Sequence, residues 1–512
     1  MENYVAAVDI GTSGCKAIIV DENAKVVATD TKEYPLYSPK PNWNEQDPAD
    51  WWQATVDSLK GVIQKSNIDV KKIKILGLSG QMHGLVPLDK NGDVIRRAFL
   101  WNDSRCDKQC QQTIEKIGGL SNLLKYTNNN LLPGYQGGKI LWLKEEEPES
   151  YARMAKALLP KDYIRYMLTA DYATEVSDAS GTGFFDVKNR KWSSELIKKL
   201  ELPMDLFAQV FESDQITGAI TDLAAQQTGL ASGTPVVGGG GDAVIQTTGM
   251  GIIQDGVLGI TLGTAGNVVM GMSKFQENKG GTLQFFCNNA KDLYHVMGVQ
   301  LSGGGSYQWF RNVLCKEEVA LAKEKGIDPY ELINDLASTS PAGSRKVLFL
   351  PYLSGERCPY SDPNLRAAFV GLSQGYTKAD MARSVMEGVT YGLKQISDAM
   401  SDIAPISMSH IIVSGGGSSS PLWRQIISDI FQLPIKTLEG GSEGGAYGAA
   451  LVAGVGHGIW KDLNTACSNI KMNISNEPNP KNKQIYDELF AIYKDMYEPL
   501  KPIHDRLANI AG

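Results

Sequence analysis

The chain has 512 residues, enough for two to four domains at roughly 100–200 residues each. Hydrophobic residues make up 42% and charged residues 21%, a globular balance that excludes a disordered chain. Lys and Arg number 50 against 57 Asp and Glu, so the net charge is −7 and no basic footprint for nucleic acid exists.

No run of about 18 apolar residues occurs, and the most apolar stretch, 247–272, is broken by Asp255 and by glycines, so no membrane partner is expected. The acidic start runs into a strand carrying Asp9 and does not read as a secretion signal. Seven scattered cysteines, an odd number, read as reduced thiols of a cytoplasmic protein. Glycine is in excess, 53 residues, and it clusters in short runs where turns or ligands bring backbones close.

Two apolar runs flanking Gly11-Thr12-Ser13-Gly14 predict a β-hairpin near the N-terminus. A third strand follows at 25–34, then a helix opened by Asp47 as N-cap and Pro48 at the first helical position. Its Trp52, Val56, Leu59 and Ile63 recur at helical spacing and form the expected core face. A further strand, 73–79, ends at Gln81-Met82-His83 between Gly80 and Gly84. An uncharged hydrogen-bonding set in a loop after a strand suits a polyol or sugar, and Trp101-Asn102-Asp103 adds donors and acceptors.

Gly238–Gly241 reads as a flexible turn that delivers Asp242, and a hinge is expected near Asp242–Gly251. The hairpin pattern returns half a chain later around Gly263-Thr264-Ala265-Gly266. Strands at 295–301, 347–350 and 410–414 and helices at 378–400 and 422–431 follow. Meander, then alternating helix and strand, found twice, predicts an α/β chain of two ribonuclease-H-like domains of the actin/hexokinase ATPase type. They are expected to flank a catalytic cleft, with boundaries at 1–245 and 246–512.

Gly11–Gly14 alone is a hairpin turn. Asp9, in an otherwise apolar strand, must pair or hold a cation, because an unpaired buried charge is costly. Glycine loops cradle phosphate, and Mg²⁺ between phosphate and Asp9 reconciles the two anions. No Gly-x-x-x-x-Gly-Lys-Ser/Thr occurs, which excludes a P-loop. Gly238-x-Gly240-x-x-Ala243 lacks a βαβ unit and puts Asp242 where a pyrophosphate would lie. Asp242 instead suits the acceptor of a proton from an attacking hydroxyl in phosphoryl transfer. Gly303–Gly305 and Gly415–Gly417 read either as tight helix–strand crossings or as a nucleotide platform.

These motifs resemble the FGGY family of carbohydrate kinases over nearly the whole chain. The resemblance rests on 9–14, 43–48, 80–84, 101–105, 133–142, 159–163, 239–242, 262–264, 351–357 and 414–417. It implies ATP-dependent phosphorylation of a pentulose, D-xylulose at O5, with ATP and Mg²⁺. It implies Asp242 as catalytic base, Asp9 at the metal, and Gln81, Met82, His83, Trp101, Asn102 and Asp103 at the sugar. Gly11, Thr12, Ser13, Lys16, Gly263, Thr264, Gly305, Gly415, Gly416, Gly417 and Ser420 would lie near the nucleotide. Ala243 departs from the Asn or Gln common after that Asp, and Ser420 from a common Asn. Ala243 leaves ribulose, L-xylulose or gluconate as alternatives; an actin- or chaperone-like ATPase is the different-class alternative. A homodimer is also open.

Overall fold

The computed structural model describes residues 3–438 and 444–510. The chain forms two compact units that interleave along the sequence. One comprises Met1–Gln254, Gly271–His295 and Gly440–Lys471; the other comprises Asp255–Met270, Val296–Glu439 and Met472–Gly512.

The first unit is built on strands β1 (Tyr4–Ile10), β2 (Gly14–Asp21), β3 (Val26–Glu33), β4 (Ile73–Gly80), β5 (Ile216–Ala219), β6 (Pro235–Val237) and β7 (Gly240–Gly241). Their order is β5-β6-β4-β1-β2-β3, with β7 also paired to β4. The meander β1-β2-β3 is antiparallel, while β4 lies parallel to β1. Asp9 of β1 is in register with Ser79 of β4, and Ser79 with Gly240 of β7. That register carries Asp9 and Asp242 to the same end of the sheet.

Helix α1 (Pro48–Ser66) starts as expected: the Asp47 side chain accepts the Ala49 N–H at 3.0 Å. Of the expected core face, Val56 and Leu59 are buried, but Trp52 and Ile63 only flank the core, and Trp51, Thr55 and Val62 are buried beside them. With tryptophan at both 51 and 52, periodicity alone fits either face.

Helices α2 (Gln136–Glu146), α3 (Pro160–Thr169) and α4 (Val176–Ser180) lead to α5 (Asp242–Gly249). The expected flexible turn is therefore ordered. Gly240 and Gly241 are buried in a strand paired with Ser79 and Gly80, and Gly239 turns with φ +78°, where a Cβ would sit 2.1 Å from the Leu78 carbonyl oxygen. The expected hinge is helix α5.

The second unit repeats the plan. Its strands are β8 (Val257–Leu262), β9 (Gly266–Met272), β10 (Tyr294–Gln300), β11 (His410–Ser414), β12 (Ile435–Leu438) and β13 (Met472–Asn476), in the order β10-β9-β8-β11-β12-β13. Here too an antiparallel hairpin, β8-β9, has a parallel neighbour, β11. Helices α6 (Gly304–Leu314), α7 (Lys378–Ile403) and α8 (Pro421–Phe431) complete this unit. Helix α9 (Gly445–His457), late in the chain, packs on β1 and β4 of the first unit. All seven cysteines are free thiols. Among the described residues no helix is long and apolar enough to cross a membrane.

Candidate functional site

At the end of the first sheet, Asp9 Oδ1 accepts a 2.6 Å hydrogen bond from Ser79 Oγ. Burial raises its pKa above the ordinary carboxylate range; the Ser79 hydrogen bond and the positive charge of Lys16 oppose the shift. Helix α9 begins against this pair. A Cβ on Gly445 would lie 2.3 Å from Ser79 Oγ and 2.9 Å from Asp9 Oδ1. Asp242 opens α5, and its Oδ1 accepts the Ala243 N–H at 2.7 Å. Burial, and then the negative charge of Asp9, push its pKa up to about 7, against the lowering effect of the Ala243 and Met82 N–H groups. A carboxyl poised there exchanges a proton near neutral pH, as a general base must.

Met82 is buried beneath β7; a Cβ on Gly241 would meet its Cγ at 2.6 Å. His83 adopts φ +70°, its Nδ1 lies 2.6 Å from the Gly181 carbonyl oxygen, and its ring stacks on Tyr135 with centroids 4.5 Å apart. Since a carbonyl oxygen only accepts, Nδ1 carries a proton.

Gln81 is fully buried and donates to Gln46 Oε1 at 2.9 Å; Gln46 Nε2 donates to the Thr12 carbonyl at 2.7 Å. Trp101 is exposed and donates from Nε1 to Thr12 Oγ1 at 2.9 Å. The carbonyl of Asn102 accepts from Asn44 Nδ2 at 2.9 Å. Asp103 is fully buried, and its carboxylate takes the Asn44 N–H at 2.7 Å and the Arg105 guanidinium at 2.6 Å, which places it in the loop's internal network. The loop itself closes with Gly11 N–H on the Gly14 carbonyl at 3.0 Å and leaves Ser13 exposed. Lys16 lies opposite Asp9 on β2.

A buried polar cluster that the sequence did not announce lies beside Asp242. Lys161, fully buried, is 2.6 Å from Asp162, 3.6 Å from Asp178 and 3.7 Å from Glu175. Glu175 accepts from Ser177 N (2.7 Å), Ser177 Oγ (2.9 Å), Asp178 N (2.8 Å) and Ser213 Oγ (2.8 Å). Among the described residues neither oxygen of Asp178 has a hydrogen-bond partner, and burial raises its pKa well above the usual value; Asp242 is among the charges that raise it further. Ser177 Oγ accepts the Gly241 N–H at 3.1 Å, joining this cluster to the strand before Asp242.

Within the second unit a cavity of about 440 Å³, a size suited to a small ligand, is lined by Gly263, Thr264, Gly305, Gly416, Gly417 and Ser420. Gly415 is not in the lining; at φ +82° it packs against Leu262. Sequence reasoning missed the aromatic wall: Tyr307 stacks on Tyr330 at 5.7 Å and meets Trp423 edge-on at 5.4 Å, while its hydroxyl donates to Asn334 Oδ1 at 3.1 Å. Helices α6 and α8 start at this cavity, and helix N-termini favour anions. An aromatic slot beside glycine turns and helix starts matches a base with a phosphate tail.

Among the described residues, no cluster of three or more His, Cys, Asp or Glu could cage a metal. Mg²⁺ needs none, since it takes one or two carboxylates and fills its octahedron with water and phosphate oxygens, so Asp9 fits.

Comparison with known proteins agrees with this chemistry. Residues 4–249 match the N-terminal domain and residues 258–457 the C-terminal domain of the FGGY family of carbohydrate kinases. The chain is 34% identical over 507 residues to a xylulose kinase of Bacillus subtilis (strain 168), covering 99% of each chain. It is 33% identical to a xylulose kinase of Escherichia coli (strain K12), covering 97% of this chain and 99% of that one. A crystal structure of ligand-bound xylulose kinase from Lactobacillus acidophilus superposes with a TM-score of 0.90 at 27% identity, covering 99% of this chain and 100% of that one. These matches do not favour the actin- or chaperone-like alternative. With a carboxyl poised near neutrality in one unit and a nucleotide-sized slot in the other, the sequence match and the geometry agree: the chain belongs to the FGGY family of carbohydrate kinases.

Proposed function

We propose that the chain transfers the γ-phosphoryl group of ATP to a pentulose, converting D-xylulose to D-xylulose 5-phosphate. The carrying observation is Asp242, poised near pH 7 beside Met82, in a chain that aligns with xylulose kinases over nearly its full length. Residues 1–245 would take the sugar and 246–512 the nucleotide.

In this reading the ketose lies against Met82 and His83, with His83 Nε2 hydrogen-bonded to a sugar hydroxyl. Asp242 takes the O5 proton as O5 attacks the γ-phosphorus, the bond to the bridging oxygen breaks, and ADP leaves. Asp9 would hold Mg²⁺, which supplies charge neutralisation for the phosphates when bound. The cavity lined by Thr264, Gly305 and Gly416 would receive ATP, with its base against Tyr307 and Trp423.

A coupled ADP-release assay with D-xylulose, ribulose, L-xylulose and gluconate tests the reading. D-xylulose should give the highest kcat/KM. ADP release that ignores added sugar overturns the reading.

A further inference from the structure

We propose that Lys139 is a positioning residue of the sugar site, holding the His83 backbone in the left-handed conformation that aims its ring. The inference rests on the sugar-kinase reading and deepens it. Lys139 sits on α2 with its side chain fully buried, and its Nζ donates to the His83 carbonyl at 2.9 Å and to the Gly134 carbonyl. Burial lowers the Lys139 pKa to about 8, against the opposing pull of Cys106, Asp103 and Cys110 nearby. A buried cation whose neighbouring charges do not offset its desolvation is expensive, and an apolar residue of similar volume in such a place is often neutral or stabilising. Stability therefore gives little reason for the charge.

What the charge accomplishes is local. Left-handed φ is uncommon for residues other than glycine, and His83 adopts it at +70°. One turn before Lys139 on the same face of α2, Gln136 Nε2 donates to the carbonyl of Gly84 at 3.2 Å. Helix α2 thus takes two successive carbonyls of the sugar loop, while the Gly181 carbonyl and the Tyr135 ring fix the imidazole. A buried ammonium bonded to two backbone carbonyls, those of His83 and Gly134, is a clamp on conformation, and the residue it clamps is the one that would face the ketose.

The experiment compares wild type, Lys139→Met, His83→Ala and the double variant, using whichever sugar of the panel the wild type phosphorylates. Lys139→Met should raise the sugar KM by ~10-fold, the factor set by 1.4 kcal/mol, leave the ATP KM within about twofold, and keep or raise Tm. The double variant should be no worse in sugar KM than His83→Ala alone, because Lys139 acts through His83. A sugar KM within about twofold of wild type, or additive losses in the double variant, overturns the proposal. Lys139→Gln serves if Lys139→Met fails to fold, with the same readings. A wild type that prefers another sugar overturns the choice of substrate, and the KM ratio on that sugar still judges Lys139.

Discussion

Asp9 and Thr261 hold the same place in the two sheets. Each lies near the end of the first hairpin strand, opposite a serine of the parallel neighbour, and bonds to its hydroxyl: Asp9 to Ser79 at 2.6 Å, Thr261 to Ser414 at 2.9 Å. The repeat is thus kept to the side chain, with an acid in one copy and an alcohol in the other. Only the first copy can attract a cation. Asp9→Asn keeps the acceptor for Ser79 and removes the charge. It should raise the Mg²⁺ concentration for half-maximal activity by ~10–100-fold, the range seen when the support of a metal site is cut. Titrating Mg²⁺ at saturating ATP and sugar reads this, and an unchanged midpoint removes Asp9 from the metal site.

Asp242 should carry the proton. Asp242→Asn is expected to lower kcat by ~10²–10⁴-fold with the sugar KM little changed, the usual size for one acid–base group. Because the base works deprotonated, kcat/KM for the sugar should fall about tenfold per pH unit below its pKa, near 7 before a cation binds. Asp9 is one of the charges raising that pKa, so in Asp9→Asn the acidic limb should move to lower pH. A limb that stays in place breaks the link between the two acids.

The buried cluster makes a prediction about stability. Asp178 binds its proton more tightly folded than unfolded, so at neutral pH folding pays to bury or protonate it. The cost is present above the folded pKa and disappears as pH falls to the ordinary carboxylate range. Asp178→Asn should therefore raise Tm relative to wild type at pH 8, and the gain should vanish toward pH 4. Differential scanning calorimetry at the two pH values decides it; a variant less stable at pH 8 means the carboxylate is held ionised by Lys161.

Local patterns carried much of this structure. The hairpin at Gly11–Gly14 and its copy at Gly263–Gly266 were legible because strand–turn–strand is written in adjacent residues, and Asp9 stood out as a charge in an apolar strand. Helix α9 was not assignable, because its Gly-Ala-Tyr-Gly-Ala-Ala-Leu run is apolar all round and periodicity cannot say which sheet it covers. Lys139 and Lys161 lie in two stretches that carry the resemblance, 133–142 and 159–163, yet their burial was not legible for another reason. Lysine is almost never fully buried, so sequence patterns send it to the surface. The aromatic wall of Tyr307, Tyr330 and Trp423 brings together three separate helices, which spacing along the chain does not reveal.

Gly416 offers a test of the nucleotide cavity that spares the fold. It lines the cavity, and a Cβ built on it meets nothing within 4 Å, so a side chain there points into empty space. By contrast, a Cβ on Gly305 would press on the Thr264 carbonyl oxygen at 2.9 Å and disturb the loop itself. Gly416→Val should therefore fold with a Tm close to wild type while filling the room a nucleotide needs. The ATP KM is expected to rise by ~10-fold or more, about 1.4 kcal/mol of lost binding, with the sugar KM within about twofold of wild type. Steady-state kinetics with each substrate varied in turn reads the two constants separately. If the sugar KM rises instead, or neither moves, the slot beside Tyr307 is not where ATP binds.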